Sequence, residues 1–458
     1  MRRPATAGFT LVELTVALVA GLIVAMGIVG LSRSATATFH EEMRNAAAEA
    51  SLRSAMDRLR ADLARAGFMS TGNIQADTAI ARAPTDPNNV QGINANMKGI
   101  LQLAAVHLAD GGSVTQNLLP LSANQNPALA PDYVEIGGNM TTADQFEVAV
   151  VQPPSGNCQR ILLVPTSPAM YRLNVVGPTA APDELRAIFQ PVPKGMATQF
   201  IARLVDDAGH TQYLATCPEN VAAGFTTMTG APQPYPYVDI DSTNTPIRTA
   251  QTTSTVSSLS GYAAGRAWIN PVQIVRWEIT GPGGKDPEPA QYVNALNNVP
   301  LQPGTADPAK YDLMRTFVDA TGVLVPQTSE IVAEYAVDLD FAFTVDAGLS
   351  NQAPSLTTFG FDDGKSNYLW AQDVSQVPSP LQGPQRIRAI RVRLATRTAQ
   401  PDRTANIPAT QNNPNEEFLY RYCVLAPCPA KPDATLRWAR TRTMTAEVST
   451  PNLGRNYY

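Results

Sequence analysis

The chain has 458 residues, of which 16% are charged, 7% are aromatic and 38 are proline. Its formal net charge of −5 provides no overall attraction to nucleic acid. Hydrophobic residues make up 44% of the chain, which excludes a fully disordered protein and favours a loop-rich β structure.

The strongest pattern lies at the N-terminus, where the leader MRRPATAG (residues 1–8) precedes a long apolar run. The run from Phe9 to Leu31 has 23 residues and one charge, Glu13. As a helix it would be about 34 Å long, whereas a hydrocarbon core is about 30 Å thick. The apolar segment of a secretory signal peptide is shorter. We therefore expect residues 9–31 to form a transmembrane helix, and Arg2 and Arg3 favour a cytoplasmic leader.

The helix is predicted to continue through residues 32–67 as an amphipathic second half. No Pro or Gly lies between Ala35 and Ala66, and apolar residues recur every three or four positions with a phase shift near Ala50. The predicted buried face comprises Phe39, Met43, Ala46, Ala50, Leu52, Met56, Leu59 and Leu63. On the exposed face we expect the ion pairs Glu49–Arg53, Arg53–Asp57 and Arg58–Asp62. Gly67 is the expected C-cap.

The hexapeptide Gly8-Phe9-Thr10-Leu11-Val12-Glu13, followed at once by the apolar helix, resembles the type IV prepilin signature. This resemblance implies cleavage by a prepilin peptidase between Gly8 and Phe9, and N-methylation of Phe9 by the same enzyme. Glu13 then becomes the fifth residue of the mature chain. There it is expected to make an assembly contact with the N-terminal amine of a neighbouring subunit.

Within that family, the helix end at 54–68 resembles PilW-like minor pilins, as do short islands at 131–136, 313–315, 330–339, 390–394 and 455–456. The resemblance implies an α+β, type IV pilin-like fold in which the long N-terminal helix packs on an antiparallel β-sheet head. The head is expected to span 68–458 and to be enlarged by insertions at about 72–130 and 166–270.

Short apolar runs bounded by Gly, Pro and Asn predict the strands of the head. The predicted strands are Val134–Ile136, Phe146–Val151, Ile161–Val164, Phe200–Val205, Thr211–Thr216, Val272–Thr280, Leu339–Val345, Arg386–Thr398 and Met444–Val448, with a bulge expected at Ala389-Ile390. Segments rich in Pro, Asn, Gln and Thr predict loops, namely Ala83–Asn96, Ala231–Leu259 and Thr398–Glu416.

Four cysteines allow three pairings, and outside the cytoplasm we expect disulfides. Cys423 and Cys428 are predicted to close a small loop, which leaves Cys158 and Cys217 as the second pair. The three histidines are scattered and no Cys-x-x-Cys occurs, so no metal site and no cofactor are predicted.

Three further patterns favour structural roles. Gly21, Gly27 and Gly30 are interpreted as ordinary glycines of a membrane helix, and the alternative is that they loosen the helix or let neighbouring helices approach closely. An arginine-rich strand is interpreted as a solvated face paired with nearby acids; its arginines are Arg386, Arg388, Arg391, Arg393 and Arg397. The segment Asp362–Asn367 lacks EF-hand spacing and is interpreted as a turn. No motif of a hydrolase or a nucleotide-binding enzyme is present.

The sequence therefore predicts a non-catalytic minor pilin that contributes to initiation and the tip complex of a type IV pilus. The alternatives are a J-type minor pseudopilin of type II secretion and a membrane-anchored periplasmic enzyme or binding protein. Expected partners are other minor pilins, the major pilin, the prepilin peptidase and the inner-membrane assembly platform, with a tip adhesin as a candidate and no nucleic acid. The head is expected in the periplasm before assembly and at the pilus tip afterwards.

Overall fold

The structure of the protein is a computed structural model. It describes residues 10–80, 82–83, 86–90, 92–109, 131–173, 182–193, 196–207, 209–218, 223–226, 234–247, 266–280, 311–348, 353–361, 369–371, 383–398, 421–423 and 438–453.

One long helix, α1 (Leu11–Ala64), confirms the prediction of a continuous N-terminal helix. Its 54 residues span about 80 Å at about 1.5 Å per residue. Every residue from Thr10 to Thr36 is exposed, and full burial begins only at Leu52. The first half of the helix therefore extends away from the rest of the described chain.

The chain leaves α1 through a tight turn onto the sheet. Arg65 is the C-cap, so the prediction of Gly67 as the cap was wrong by two residues. Gly67 instead has a φ of +71°, in the left-handed region that glycine adopts without strain. Its N–H donates to the carbonyl of Gly137 at 2.9 Å. A side chain at Gly138 would lie 2.5 Å from the Arg65 carbonyl, so glycine is required for this close approach.

The remaining helices are short, and the strands are antiparallel. The helices are α2 (Lys98–Leu101), α3 (Pro168–Arg172) and α4 (Pro182–Phe189). The strands are β1 (Arg82–Ala83), β2 (Asp86–Val90), β3 (Val106–Ala109), β4 (Tyr133–Gly138), β5 (Phe146–Val151), β6 (Cys158–Leu163), β7 (Ile201–Asp206), β8 (Thr211–Ala215), β9 (Ala223–Thr226), β10 (Tyr235–Asp241), β11 (Ala267–Thr280), β12 (Asp312–Val318), β13 (Leu324–Ala333), β14 (Ala336–Asp346), β15 (Leu356–Thr358), β16 (Ile387–Arg397), β17 (Arg421–Cys423) and β18 (Trp438–Ser449).

Two large sheets make up the described part of the head, beside the small β1–β2 pair. The larger sheet has the order β13-β12-β11-β5-β6-β10-β9, with β3, β4, β7 and β8 joined to it at the side. The smaller sheet has the order β15-β14-β16-β18-β17. The chain is therefore α+β, with a long apolar helix followed by an antiparallel β domain.

The 14-residue strand β11 connects the parts of the larger sheet. Its first half pairs with β5 and β7, and its second half pairs with β4 and β12. Pro271 lies between the end of the β5 pairing at Ile269 and the start of the β4 pairing at Gln273. Because proline has no N–H to donate, this gap accommodates it. The predicted strand Val272–Thr280 therefore began too late, because β11 begins at Ala267.

The predicted loop at 231–259 was wrong in part, because it contains β10. Pro236 lies where β10 pairs with β9 alone, since the pairing with β6 begins at Tyr237. Of the other predicted loops, 83–96 contains β2, and 398–416 lies outside the described residues except for Thr398. The hairpin of β7 and β8 is confirmed. The irregularity in β16 is at Arg388, one residue before the predicted bulge.

The main core lies where the second half of α1 meets both sheets. Leu52, Met56, Leu59 and Leu63 are buried on one face of the helix. They belong to a cluster with Trp277 of the larger sheet and with residues of the smaller sheet, including Leu339, Phe341, Ile390 and Val392. A second cluster lies between the larger sheet and the helices α3 and α4, and its strand residues include Phe146, Ile161, Leu204, Leu214 and Val238.

Asp62 fixes the orientation of α1 on the head. The predicted exposed pair Arg58–Asp62 does not form as expected, because Asp62 is only 8% exposed. One carboxylate oxygen, Oδ2, accepts from Trp277 Nε1 at 3.0 Å and from Arg315 Nε at 2.7 Å. Arg58 instead pairs with Glu330 of β13, at 2.5 and 2.6 Å. Side chains of β11, β12 and β13 thus bind Arg58 and Asp62, which lie one helical turn apart on α1.

We predict that Asp62→Ala destabilises the head by about 3–5 kcal/mol, because it leaves the Arg315 charge and the Trp277 N–H buried without their acceptor. Asp57→Ala is the matched control, since Asp57 lies on the exposed face of the same helix. Denaturant unfolding of the full chain in detergent measures the difference. Equal stability of the two variants would contradict this role of Asp62.

Candidate functional site

The candidate site is the exposed first half of α1. Its large apolar side chains are between 51% and 79% exposed; they are Leu11, Val12, Leu14, Val16, Leu18, Val19, Leu22, Ile23, Val24, Met26, Ile28, Val29 and Leu31. By length and composition this segment can cross a membrane, a property that it shares with a signal sequence near an N-terminus. So much exposed apolar surface requires lipid or other protein around it.

Glu13 closes a capping box with Thr10 at the start of α1. The Thr10 hydroxyl accepts from the backbone N–H of Glu13 at 3.3 Å, and Glu13 Oε2 accepts from the backbone N–H of Thr10 at 3.0 Å. The Thr10 hydroxyl also donates to Glu13 Oε2 at 2.9 Å. The Thr-x-x-Glu spacing is visible in the sequence, but our sequence interpretation assigned Glu13 only to an intermolecular contact.

The capping box uses only one of the two carboxylate oxygens of Glu13. Within the described residues both of its hydrogen bonds go to Oε2, and the carboxylate lies in the first turn of the helix. An anion in the first turn is favoured by the helix dipole, and the capping bonds compensate part of its lost hydration. The carboxylate is therefore held at a defined place at the tip of the helix while Oε1 remains available for a donor.

The segment 32–51 links this apolar half to the head. Phe39 and Met43 were predicted to be buried, but they are 59% and 55% exposed, so the predicted face contacts the head only from Leu52 onward. Within this segment Glu41 lies 3.6 Å from Arg440 of β18. Gly21, Gly27 and Gly30 have no described atom near the position of a side chain. The helix surface at these three glycines is therefore free for contact with a molecule outside the chain.

Two of the four cysteines form a disulfide. Cys158 at the start of β6 is bonded to Cys217 just after β8, with their Cα atoms 5.8 Å apart. The link joins two strands of the larger sheet across 59 positions of sequence. The predicted pair Cys423–Cys428 lies outside the described side chains, as do Gly8 and Phe9 and the segment Asp362–Asn367.

The arginine-rich strand is less solvated than predicted. Arg393 bonds to Asp338 and Asp340, and Arg388 lies 3.5 Å from Asp346, which confirms the acidic partners. Arg386 and Arg397, however, are 4% and 1% exposed. Arg386 donates to the backbone carbonyl of Asp346, and Arg397 lies against the rings of Tyr335 and Tyr422. These contacts within the head give both arginines a structural role.

A second charged cluster lies on β3, β4 and β11. Glu135 accepts from Arg276 at 2.6 and 2.9 Å and lies 3.1 Å from His107 Nδ1. Burial alone would raise the pKa of Glu135, but the contacts with His107 and Arg276 outweigh it and hold the pKa at about 2. Because every acid–base contact joins neighbouring strands, this cluster acts as a structural link.

Comparison of the chain with protein-family models, with curated proteins and with solved structures finds no match.

We predict that non-reducing peptide mapping of the freshly isolated protein recovers Cys158 and Cys217 in one cross-linked peptide pair. The double variant Cys158→Ser/Cys217→Ser should lower the stability of the larger sheet by about 2–4 kcal/mol, because it releases a closed loop in the unfolded chain. Free thiols at both positions in freshly isolated protein would contradict the pairing.

Proposed function

We propose that this protein is a minor pilin of a type IV pilus, with a pilin-like fold enlarged by insertions in its head. The observation that carries the proposal is the shape of α1, whose first half is apolar and exposed and whose second half packs on an antiparallel domain. Type IV pilins are built on this plan. In this proposal the protein acts by helix packing and display of its head, and not by catalysis.

The proposed N-terminus of the mature chain is Phe9, produced by prepilin peptidase after Gly8 and then N-methylated. This assignment comes from the resemblance of residues 8–13 to the prepilin signature. Cleavage there places a charged amine one residue before Thr10, at the tip of the helix. It leaves the Thr10–Glu13 capping box intact, since both residues belong to the mature chain.

The proposed role of Glu13 follows from the cost of a charge in lipid. An acidic residue costs about 2.5–3.5 kcal/mol at the centre of a membrane helix on insertion scales, and Glu13, in the first turn, carries a smaller part of that cost. Bonds to Thr10 reduce that cost while the subunit is alone. In a filament, the methylated amine of a neighbouring Phe9 can approach the same carboxylate, and the two opposite charges compensate each other outside water.

The proposed partners are other minor pilins and the major pilin, which contact the helix, together with the peptidase and the inner-membrane assembly platform. The head would lie in the periplasm before assembly and at the pilus tip afterwards, where a tip adhesin is a candidate neighbour. A J-type minor pseudopilin of type II secretion is the alternative. The large head favours the pilus, because display at a tip tolerates bulk.

Two variants of Glu13 test the proposal and separate its charge from its capping function. Glu13→Ala removes both, whereas Glu13→Gln retains a side chain that can complete a capping box. If the charge is the assembly contact, both variants should be exported, fold and remain in the membrane, but should reduce the number of filaments per cell at least about tenfold, which corresponds to the loss of about 1.4 kcal/mol in one contact. Immunoelectron microscopy counts the filaments.

Rescue by Glu13→Gln alone would show that capping, and not charge, is what assembly needs. Wild-type filament numbers and co-purification with filaments for both variants would contradict an assembly function at this residue.

A further inference from the structure

Part of the larger sheet closes on itself. The first half of β11 pairs with β5 on one side and with β7 on the other, β5 pairs with β6, β6 with β10, and β7 with β8. The ring closes at a short seam, where Thr216 at the end of β8 pairs with Ile240 of β10 and the N–H of Cys217 donates to the Asp239 carbonyl at 2.8 Å. All of these pairings are antiparallel. The order β11-β5-β6-β10-β8-β7 is therefore a small closed barrel.

The barrel has an apolar core of its own. Side chains spaced two apart on its strands belong to the second cluster, as expected for one face of each strand; they include the pairs Phe146 and Val148, Ile161 and Leu163, Ala202 and Leu204, and Ala267 and Ile269. Phe189 of α4 adds its ring, centred 5.5 Å from that of Phe146. Every described member of the cluster lies between residues 146 and 269. Such a core fills the inside of a small barrel.

The disulfide is also internal to this part of the chain. Cys158 at the start of β6 pairs across the sheet with Asp241 of β10, and Cys217 follows β8 at the seam. The bond between them therefore links β6 to β8 across β10, beside the contact that closes the barrel.

The chain enters and leaves the barrel at neighbouring positions. Gly138, at the end of β4, is paired with Gln273 in the second half of β11. Without the intervening residues, these two strands would be the arms of an ordinary hairpin. The main core, to which α1 contributes, includes Met140 and Val275 but no described residue between them. We therefore define residues 141–271 as the inserted segment, which is long enough for an ordinary domain.

The inserted segment docks on the remainder of the head through the outside of the barrel. Three side chains that alternate with the core residues of β7 and β8 belong to a third cluster, whose other members include Ile74 and Ile100; the three are Ile201, Tyr213 and Ala215. The N–H of Ala320 also donates to the Gln199 carbonyl at 2.8 Å. Because this docking uses the outer face, the core inside the barrel is complete without it.

We propose that residues 141–271 form an inserted barrel domain that opens as a unit of its own, and that α1 and the remainder of the head carry assembly while this domain is displayed. The two main cores share no described residue, so loss of one need not disrupt the other. The division between assembly and display rests on the proposed function. The separate opening of the domain does not.

Matched core variants of the full chain, followed in detergent by hydrogen exchange and mass spectrometry, test the domain. Phe189 in the barrel and Phe341 in the main core are both fully buried. Phe189→Ala should increase opening at least about a hundredfold in peptides covering 158–163 and 201–206 and leave 52–64 and 387–397 at wild-type rates. Phe341→Ala should have the reverse effect. If either variant does not fold, Ile161→Val and Ile390→Val give the same contrast at roughly two- to tenfold.

Equal acceleration of both sets of peptides by each variant would show a single cooperative unit and overturn the inserted domain. Filament counts test the division of roles, with the amount of each variant in the membrane equalised by immunoblot. Phe189→Ala should give wild-type numbers and Phe341→Ala should lower them. An equal loss in both would overturn the division. Because exchange is measured without filaments, it decides the domain even where the filament counts contradict the proposed function.

Discussion

The bonds of Asp62 to Trp277 and Arg315 are the interaction on which the arrangement of the molecule depends. They fix the last turns of α1 on β11 and β12, beside the apolar face formed by Leu59 and Leu63. Because α1 is one continuous helix from Leu11 to Ala64, the apolar half leaves the head along the axis of the anchored turns. The exposed apolar half therefore projects from the head in one defined direction.

The region around this anchor also joins the two sheets of the head. Trp277 lies in the half of β11 that pairs with β4, and the residue that precedes β4, Asp132, is bonded to β14. Helix, larger sheet and smaller sheet thus meet within a few residues, in one continuous apolar cluster. The second cluster contains no residue of α1 and is formed by the larger sheet together with α3 and α4.

Local patterns were sufficient to predict the long helix, the β7–β8 hairpin and most of the central strands, because each is encoded by neighbouring residues. The anchor was not predictable in this way, since Asp62 is 215 positions from Trp277 and 253 from Arg315. From the sequence Asp62 resembled the acid of an ordinary i,i+4 surface pair. β10 was missed because Pro236 indicates a loop unless the extent of the neighbouring strands is known. At the candidate site the Thr10–Glu13 spacing is local, so the capping box could have been predicted from the sequence.

We propose that α1 is the membrane and assembly helix of a pilin-like protein that is processed after residue 8. Intact mass and N-terminal peptide mass of the protein isolated from membranes and from sheared filaments test this proposal. The expected chain begins at Phe9 and carries one N-methyl group. A filament-associated chain that still begins at Met1, or one cut elsewhere in the apolar segment, would contradict it.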